Sequence, residues 1–590
     1  MRSATLIYSN ASTDTELVPM IPAALIGILA VNRLGAIHSI VFGGFAPAAL
    51  SQRIDACKPK AVLTASCGID GNKPPIAYKP LVEEAYSLAK HKPSKTLIWQ
   101  RDQLRWNPCD RNGGQASWQK VIRSAKARGH KAECQPVKST DPVYIIHTSG
   151  TTGAPKGVLR DAGGHAVGLH LSASYLFDIH GPGDVICTAS DIGWVVGHSY
   201  IIYAPLLVGA TTVLYEGKPV GTPDAGAFWR LVEEYKIKCL FTAPTALRAI
   251  KRDDPDNKHF KAIGERGGLK SLRALFLAGE RSEPSIVDMY EALLGKYAAP
   301  SATVVDHWWS TEAGSPMTGR ALVPHTGHDR KSDVRDHAPP VLKPGSAGKA
   351  MPGFDVRVVD DEGKEVPRGT MGNIVLGMPL APTAFTTLWD DPERFYHSYL
   401  KRFDGKWMDT GDAGMIDEEG YLFVMSRNDD VLNVSAHRLS SGGIEQAIAS
   451  HPDVAECCIV GIPDEIKGHL PFAFITLSTS PHPESAVPNE ELTCEIQNLV
   501  RKQVGAIATL GGIVQGKGII PRTRSGKTLR RVLRQLVENG VHGEWEKRVE
   551  VPSTVEDAAV VEGAKAKVRE YFEKKGASHR AIEGRPKAKL

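Results

Sequence analysis

The sequence lacks long apolar runs, paired cysteines and a strong net charge, and each absence argues against a class of protein. Its longest apolar run, residues 18–31, has 14 residues and two prolines, whereas a helix that crosses a bilayer needs about 20. The nine cysteines include no Cys-x-x-Cys pair, which argues against a zinc ribbon or a disulfide framework and favours a reducing compartment. A net charge of +5 over 590 residues argues against nucleic-acid binding through the overall field. We therefore expect small-molecule substrates, with no nucleic acid and no membrane as partners.

The order of apolar and turn residues predicts an α/β protein of more than one domain. A chain of 590 residues is too long for a single core. Strand and helix patterns alternate through the first half, which favours helices layered on largely parallel sheets. Short strands then predict a small barrel or sheet, and an α+β pattern follows. We place an N-terminal domain at 1–426, a smaller and mobile C-terminal domain at 427–550, and a charged tail at 551–590.

The stretch 147–157, HTSGTTGAPKG, is the most informative in the chain. It follows an apolar run at 143–146, so we predict a loop at the end of a buried strand. Small side chains let backbone N–H groups approach an anion, hydroxyl groups add donors, and a lysine adds positive charge. The residue order of a P-loop is absent, and a plain surface loop is the alternative for such a composition. The predicted phosphate contacts are Thr148, Ser149, Gly150, Thr151, Thr152, Gly153 and Lys156.

The ordered pattern T-S-G-T-T-G-x-P-K-G resembles the phosphate loop of acyl-CoA synthetases in the adenylate-forming superfamily. A second segment, DHWWSTE at 306–312, resembles the W-W-x-T-E motif of acetyl- and propionyl-CoA synthetases. Its chemistry suits ATP, because Glu312 is a hard oxygen ligand for Mg²⁺, Thr311 can donate to phosphate and Asp306 can accept from an amino group. Alone, the segment would be interpreted as a strand end with core tryptophans. The predicted nucleotide contacts here are Asp306, His307, Trp308, Ser310 and Thr311, with Glu312 as catalytic metal ligand.

Further matches follow in the family's order and imply contacts to adenine and ribose. Gly279 and Glu280 match the loop on the adenine side of the nucleotide. Asp412 matches the residue that accepts hydrogen bonds from the ribose hydroxyls, and Arg427 matches one that contacts ribose or phosphate. Each short match is weak alone, because similar motifs often mark hairpins and solvated faces. Their joint order carries the resemblance.

The same resemblance implies a mobile C-terminal domain that carries a catalytic lysine. Asp429 matches the hinge pivot, and Ser435 and Arg438 belong to a loop whose arginine reaches the phosphates. Lys527 matches the lysine that bridges carboxylate and α-phosphate during adenylation, a role that suits a compact charge on a long stem. Arg501 is a candidate for the 3′-phosphate of CoA. A basic surface turn is the alternative for the lysine segment taken alone.

One tryptophan indicates a small acyl pocket. In the short-chain enzymes that this chain resembles, a residue matching Trp309 closes the pocket and leaves room only for a small acid. Val195, Val196 and Ala278 are the other predicted pocket residues. An alanine at 278, where acetate enzymes have valine, enlarges the pocket and favours propionate. One methylene is worth about 0.8 kcal/mol of burial, so we expect a preference and not an exclusion of acetate.

The resemblance runs from about residue 18 to residue 556 and implies an AMP-forming short-chain acyl-CoA synthetase. Such an enzyme uses ATP and Mg²⁺ to convert propionate or acetate to an acyl-adenylate, and then transfers the acyl group to CoA. The alternatives are the same fold acting on another small carboxylate or a non-CoA acceptor, and a truncated non-catalytic paralogue. The first seventeen residues match nothing in the family, which is why we expect the N-terminal segment to be truncated.

The end of the chain predicts a cellular address. Ala588, Lys589 and Leu590 resemble the Ser-Lys-Leu peroxisomal signal, so a peroxisomal import receptor is an expected partner. The first twenty residues are polar, and we expect no secretory signal. Cytoplasm or mitochondrial matrix is the alternative location.

Overall fold

In the computed structural model of this chain, the apolar runs that predict strands pair into two sheets built mainly from parallel strands. The described chain divides into two compact units. Unit 1 comprises Met1–Thr370, Ile374–Thr410 and Ile416–Val424, and unit 2 comprises Met371–Asn373, Gly411–Met415 and Met425–Leu590. The structure describes residues 4–9, 20–42, 47–69, 74–108, 114–148, 155–280, 282, 284–322, 342–427, 431–434, 437–464, 468–478, 485–505, 508–523, 528–552 and 555–582.

The first sheet of unit 1 has seven strands, which are β1 (Ala4–Ser9), β2 (Ile37–Phe42), β3 (Ala61–Ala65), β6 (Lys95–Trp99), β7 (Gln115–Ser117), β8 (Pro142–Thr148) and β9 (Lys156–Asp161). Their order is β7-β6-β3-β1-β2-β8-β9, and only β8 and β9 pair antiparallel. Parallel neighbours need crossover helices, and these are α1 (Pro22–Arg33), α2 (Pro47–Cys57), α3 (Tyr78–Leu88) and α4 (Trp118–Ala127). A two-stranded pair joins β4 (Cys67–Gly68) to β5 (Ile76–Ala77).

The second sheet of unit 1 is entirely parallel and consists of β10 (Val185–Thr188), β11 (Thr211–Val213), β12 (Cys239–Thr242), β13 (Ala274–Leu277) and β14 (Thr303–Asp306). The strand order is β11-β10-β12-β13-β14. Every residue of β12, β13 and β14 is buried, as expected for a sheet covered on both faces. The helices around it are α5 (Ala162–Tyr175), α6 (Val195–Gly197), α7 (Ala204–Val208), α8 (Ala227–Tyr235), α9 (Pro244–Asp253), α10 (Lys258–Glu265) and α11 (Pro284–Tyr297), with a π-helix at His198–Tyr203.

A four-stranded sheet occupies the region predicted to form a small barrel or sheet. It has the order β17-β18-β19-β20, with strands β17 (Val356–Val359), β18 (Gly372–Gly377), β19 (Trp407–Ile416) and β20 (Leu422–Arg427). A short antiparallel pair, β15 (Thr318–Gly319) and β16 (Lys349–Ala350), precedes it. Between β18 and β19 lie α12 (Pro392–Phe395), a π-helix at Tyr396–Leu400 and a 3-10 turn at Lys401–Phe403.

Unit 2 has the α+β composition that the sequence predicts. Its sheet contains β21 (Val431–Val434), β22 (His437–Ser440), β23 (Val454–Asp464), β24 (Gly468–Leu477) and β25 (Gly512–Gln515), in the order β22-β21-β24-β23 with β25 beside β24. Its helices are α13 (Ser441–Ala449), α14 (Glu490–Gln503), α15 (Arg530–His542) and α16 (Ala558–Ile582).

Helix α16 lies in the segment that the sequence predicts to be a charged tail. Its side chains at 561, 564, 568 and 571 fall on one helical face, and all four are buried in the core that β23, β24 and α15 also form. The structure therefore gives this segment a packing role in unit 2.

The predicted domain bounds themselves stay a prediction. No helix among the described residues has the length and apolarity to span a bilayer.

Candidate active site

The ends of β13 and β14 bring two predicted segments to one edge of the second sheet. Leu277 pairs in register with Asp306, so the chain leaves both strands side by side toward 278–280 and 307–312. Carboxyl ends of parallel strands are the usual place for a ligand in open α/β sheets. Asp306 is buried at this edge, with 9% of its surface exposed. The predicted adenine loop, which follows β13, therefore lies beside the predicted metal and phosphate segment, which follows β14.

The side chain of His307 faces the core instead of an open site. Its ring lies 4.8 Å from the ring of Phe241 and 5.8 Å from the rings of Phe177 and Phe276, measured between centroids. Burial lowers the pKa of His307 to about 3, so the imidazole is neutral. The ring of His307 therefore supports the strand end, and a nucleotide contact by this residue stays a prediction.

Glu312 and the phosphate-loop lysine meet at a residue that the sequence did not single out, Tyr399. The Tyr399 hydroxyl donates to Glu312 Oε1 at 2.7 Å, and Lys156 Nζ lies 4.5 Å from the centroid of the Tyr399 ring. Lys156 begins β9 and pairs in register with Thr148, the last residue of β8. Lys156, at one end of the hairpin that carries the predicted phosphate loop, therefore lies near the tyrosine that contacts the predicted metal ligand. Residues 149–154 lie outside the described residues.

A second residue to which the sequence assigned no role, Arg160, contacts the same segment. Its guanidinium donates to the carbonyl oxygens of Thr311 and Glu312 at 2.5 and 3.1 Å. Ser310, another predicted nucleotide contact, accepts through Oγ from the backbone N–H of Ala313 at 3.3 Å. The segment after β14 is therefore a hydrogen-bonded turn fixed from behind by an arginine.

Three of the four predicted acyl-pocket residues pack in one apolar cluster. Ala278, with 5% of its surface exposed, follows β13, and Val196 and Trp309 pack against the same cluster. The ring of Trp309 meets Tyr200 edge to face at 5.6 Å between centroids. Val195 packs with Trp309 in the neighbouring cluster. The structure brings these side chains together at the sheet edge.

Glu280 has an ion-pair partner in the described structure. Arg248 Nη2 donates to both carboxylate oxygens of Glu280 at 2.8 Å, and Thr245 Oγ1 donates to the same group. Gly279, just before it, has a φ of +98° and open space where a Cβ would be. Glycine is therefore required at position 279 by the backbone conformation and not by crowding from neighbouring atoms.

Two predicted ribose contacts are paired within unit 2. Arg427 Nη1 donates to Asp412 Oδ1 at 3.0 Å. A Cβ at the preceding Gly411, whose φ is +72°, would lie 2.6 Å from Arg427 Nη2. The glycine thus permits the close approach of the arginine to the carboxylate.

The remaining predicted residues of the C-terminal part are placed only in outline. Arg438 pairs in backbone register with Asn433 on β21, and Arg501 is exposed in the last turn of α14. Arg522 and Thr528 form an isolated antiparallel bridge, which holds together the two flanks of the lysine segment. Asp429, Ser435 and Lys527 lie outside the described residues, as do residues 588–590.

The donor set at Glu312 fits a nucleotide-bound Mg²⁺ better than a structural metal. Among the described residues no group of three or more His, Cys, Asp or Glu side chains is placed to hold an ion. Mg²⁺ needs only one or two protein carboxylates, since waters and phosphate oxygens fill its other positions. One carboxylate near the predicted phosphate hairpin meets that requirement.

Comparisons with known proteins identify the family and the fold of this chain. Residues 17–383 match the family described as AMP-binding enzyme, and residues 443–527 match the AMP-binding enzyme C-terminal domain. The chain is 46% identical over 549 residues to human acyl-CoA synthetase short-chain family member 3, mitochondrial, covering 93% of this chain and 74% of that protein. It is 38% identical over 528 residues to acetyl-coenzyme A synthetase of Leptospira biflexa, covering 88% and 75%. The solved structure of acetoacetyl-CoA synthetase from Streptomyces lividans superposes with a TM-score of 0.77 at 19% identity over 98% of this chain and 79% of that chain, which shows the same fold.

Proposed function

Because this chain belongs to the AMP-binding enzyme family, as a short-chain acyl-CoA synthetase of the adenylate-forming superfamily, we propose that it activates propionate in preference to acetate. The observation that supports this choice is the cluster of Ala278, Val196 and Trp309 at the sheet edge. An alanine at 278 leaves space for the extra methyl group of propionate, and the tryptophan limits the length of the acid. ATP and CoA are the other substrates.

In the first proposed half-reaction, a carboxylate oxygen of the acid attacks the α-phosphorus of ATP. The bond from that phosphorus to the pyrophosphate breaks, and an acyl-adenylate forms. Two anions approach each other, so cationic groups must face the developing charge. We assign that role to Lys156, Arg438 and Lys527. A Mg²⁺ ion held through Glu312 would neutralise phosphate charge and so assist this displacement.

In the second proposed half-reaction, the CoA thiolate attacks the acyl carbonyl carbon and AMP leaves. Arg501 is the proposed contact for the 3′-phosphate of CoA. Lys527 has no role in this step, because the α-phosphate is no longer attacked. Asp429 stays the proposed hinge between the two half-reactions. The alternative acceptors predicted from the sequence would replace the thiol in this step alone.

The test is release of AMP from ATP with unbranched acids of two to six carbons, with and without CoA. We expect the highest kcat/KM with propionate, by roughly fourfold over acetate for one methylene worth about 0.8 kcal/mol, and sustained AMP release only with CoA. In the matched variant Ala278→Val, acetate should become the acid with the highest kcat/KM. ADP as product, an optimum at five or six carbons, or turnover independent of CoA would contradict the proposal.

We keep the peroxisome as the proposed compartment because of Ala588, Lys589 and Leu590. The names of mammalian relatives place those proteins in mitochondria, so the mitochondrial matrix is the alternative. Fractionation of cells that express the full chain distinguishes the two, since recovery with mitochondrial markers would exclude the peroxisome.

A further inference from the structure

Arg160 is a fully buried cation directly behind the Glu312 segment. None of its surface is exposed, and among the described residues no carboxylate forms an ion pair with it. Its hydrogen-bond acceptors are all neutral oxygens: the carbonyls of Thr311, Glu312 and Thr383, and the hydroxyl of Tyr144 at 3.3 Å. A buried guanidinium is tolerated only when its donors are satisfied, so these contacts determine where the arginine lies.

The titratable side chains next to Arg160 are neutral, so they do not offset its positive charge. Burial lowers the pKa of His165 well below its usual value and that of His198 to about 4, and the charge of Arg160 lowers both further. Burial also raises the pKa of Tyr144, which stays a neutral phenol. The acceptors of Arg160 and these three side chains are therefore polar and neutral.

The backbone that Arg160 holds is fixed from several sides. Gly314 has a φ of +74°, and a Cβ there would lie 2.7 Å from Arg160 Cζ, so glycine permits the arginine to pack against the turn. Ser199 Oγ donates to the carbonyl oxygen of Gly314 at 2.7 Å. The N–H of Phe385 donates to the Glu312 carbonyl at 2.8 Å. Glu312 is thus held by Arg160 and Phe385 at its backbone and by Tyr399 at its carboxylate.

We infer that Arg160 is a positioning residue for Glu312 and thereby sets the affinity of the enzyme for the magnesium complex of ATP. The inference rests on the proposed role of Glu312. The planar fork of arginine reaches three carbonyl oxygens at once, which the single ammonium group of lysine does not reproduce. Without that fork the turn after β14 loses its fixed position, and a displacement of about 1 Å is enough to reduce catalysis strongly.

The experiment uses ATP–pyrophosphate exchange with propionate and compares Arg160→Lys and Arg160→Met with the wild type. We expect KM for MgATP to rise at least tenfold in both variants while KM for propionate changes less than twofold. The control is Arg101→Lys, another mostly buried arginine, which pairs with Glu216 at 2.8 and 2.9 Å and should leave both KM values unchanged. Equal increases in the two KM values, or rescue by lysine, would overturn the inference.

A double-mutant cycle separates positioning from general destabilisation. In a Glu312→Gln background, Arg160→Lys should raise KM for MgATP by less than about twofold, because both changes act through the same carboxylate. Additive effects would show that Arg160 acts elsewhere, and failure of Arg160→Lys to fold would assign it a structural role only. Exchange by the wild type in the same assay tests the proposed function separately.

Discussion

At the scale of single residues, Trp309 is the side chain that we propose limits the length of the acid. It is held between rings, with Tyr200 at 5.6 Å, Phe241 at 6.3 Å and His307 at 6.4 Å between centroids. Aromatic pairs of this kind resist displacement, because each adds about 0.5 to 1.5 kcal/mol beyond the buried area. The proposed pocket end is therefore rigid, and we expect that an acid that is too long does not push it aside.

Replacing this side chain should change which acids are used. In Trp309→Ala we expect activity with hexanoate to exceed activity with propionate, since each methylene that the enlarged pocket accepts adds about 0.8 kcal/mol, roughly fourfold. The measurement is kcat/KM for acids of three to six carbons. Trp99→Ala is the control, because Trp99 on β6 packs on Trp118 of α4 and should not change which acid gives the highest kcat/KM. An unchanged preference for propionate in Trp309→Ala would remove Trp309 from the pocket.

At the scale of elements, α16 illustrates how a charged, alanine-rich segment can still complete a core. Its buried face is small, and Tyr571 supplies its largest buried side chain. That ring meets Phe472 on β24 edge to face at 5.4 Å, and a Cβ at Gly512 on β25 would lie 2.5 Å from the Tyr571 hydroxyl. The helix is thus fitted closely to the sheet of unit 2.

Loss of this fit should destabilise unit 2. In Tyr571→Ala, removal of a large buried ring lowers the free energy of unfolding of unit 2 by about 3 kcal/mol. Some backbone amides of β23 and β24 exchange only when the unit opens. We expect those amides to exchange roughly 100-fold faster in the variant. Hydrogen exchange read by mass spectrometry measures this, with peptides of β10 and β12 as internal reference. Glu573→Ala, which removes an exposed ion pair with Arg569, is the control and should leave the rates unchanged. Unchanged exchange in Tyr571→Ala would mean that the helix does not support the sheet.

At the scale of the whole molecule, buried neutral histidines connect stability to pH. Burial lowers the pKa of His147 to about 3, of His198 to about 4 and of His307 to about 3. In the unfolded chain a histidine has a pKa of about 6.5. Below that value the unfolded state binds more protons than the folded state, so stability falls as the pH falls.

The predicted result is a free energy of unfolding that decreases steeply between pH 6.5 and pH 4. Each of these histidines contributes about 1.4 kcal/mol per pH unit within that window. Urea unfolding followed by tryptophan fluorescence at several pH values measures the slope. His198→Gln should make the slope shallower by about one such contribution, whereas the exposed His170→Gln should not. If the free energy of unfolding depended on pH equally in His198→Gln and in the wild type, His198 would not be a buried neutral histidine that links stability to pH.

The sequence by itself determined the family, the order of the motifs and most of the strands. Apolar runs such as those that became β8, β10, β13 and β14 are local signals, and a run bounded by turn residues forms a strand wherever it lies. Residues 437–440 pair with β21, and α13 begins only after them, at Ser441. Pairing with the preceding strand therefore sets where this helix begins.

Only the tertiary structure decided which side chains surround Glu312. Tyr399 is 87 residues away from it along the chain, and Arg160 is 151 residues from Thr311. Neither contact leaves a periodic or spaced pattern in the sequence, because the crossovers of a parallel sheet bring distant segments to one edge. The same reason explains why His307, placed by its motif among the nucleotide contacts, has its ring among three phenylalanines. Residue type and spacing are local properties, whereas burial and partnership depend on how all the layers pack.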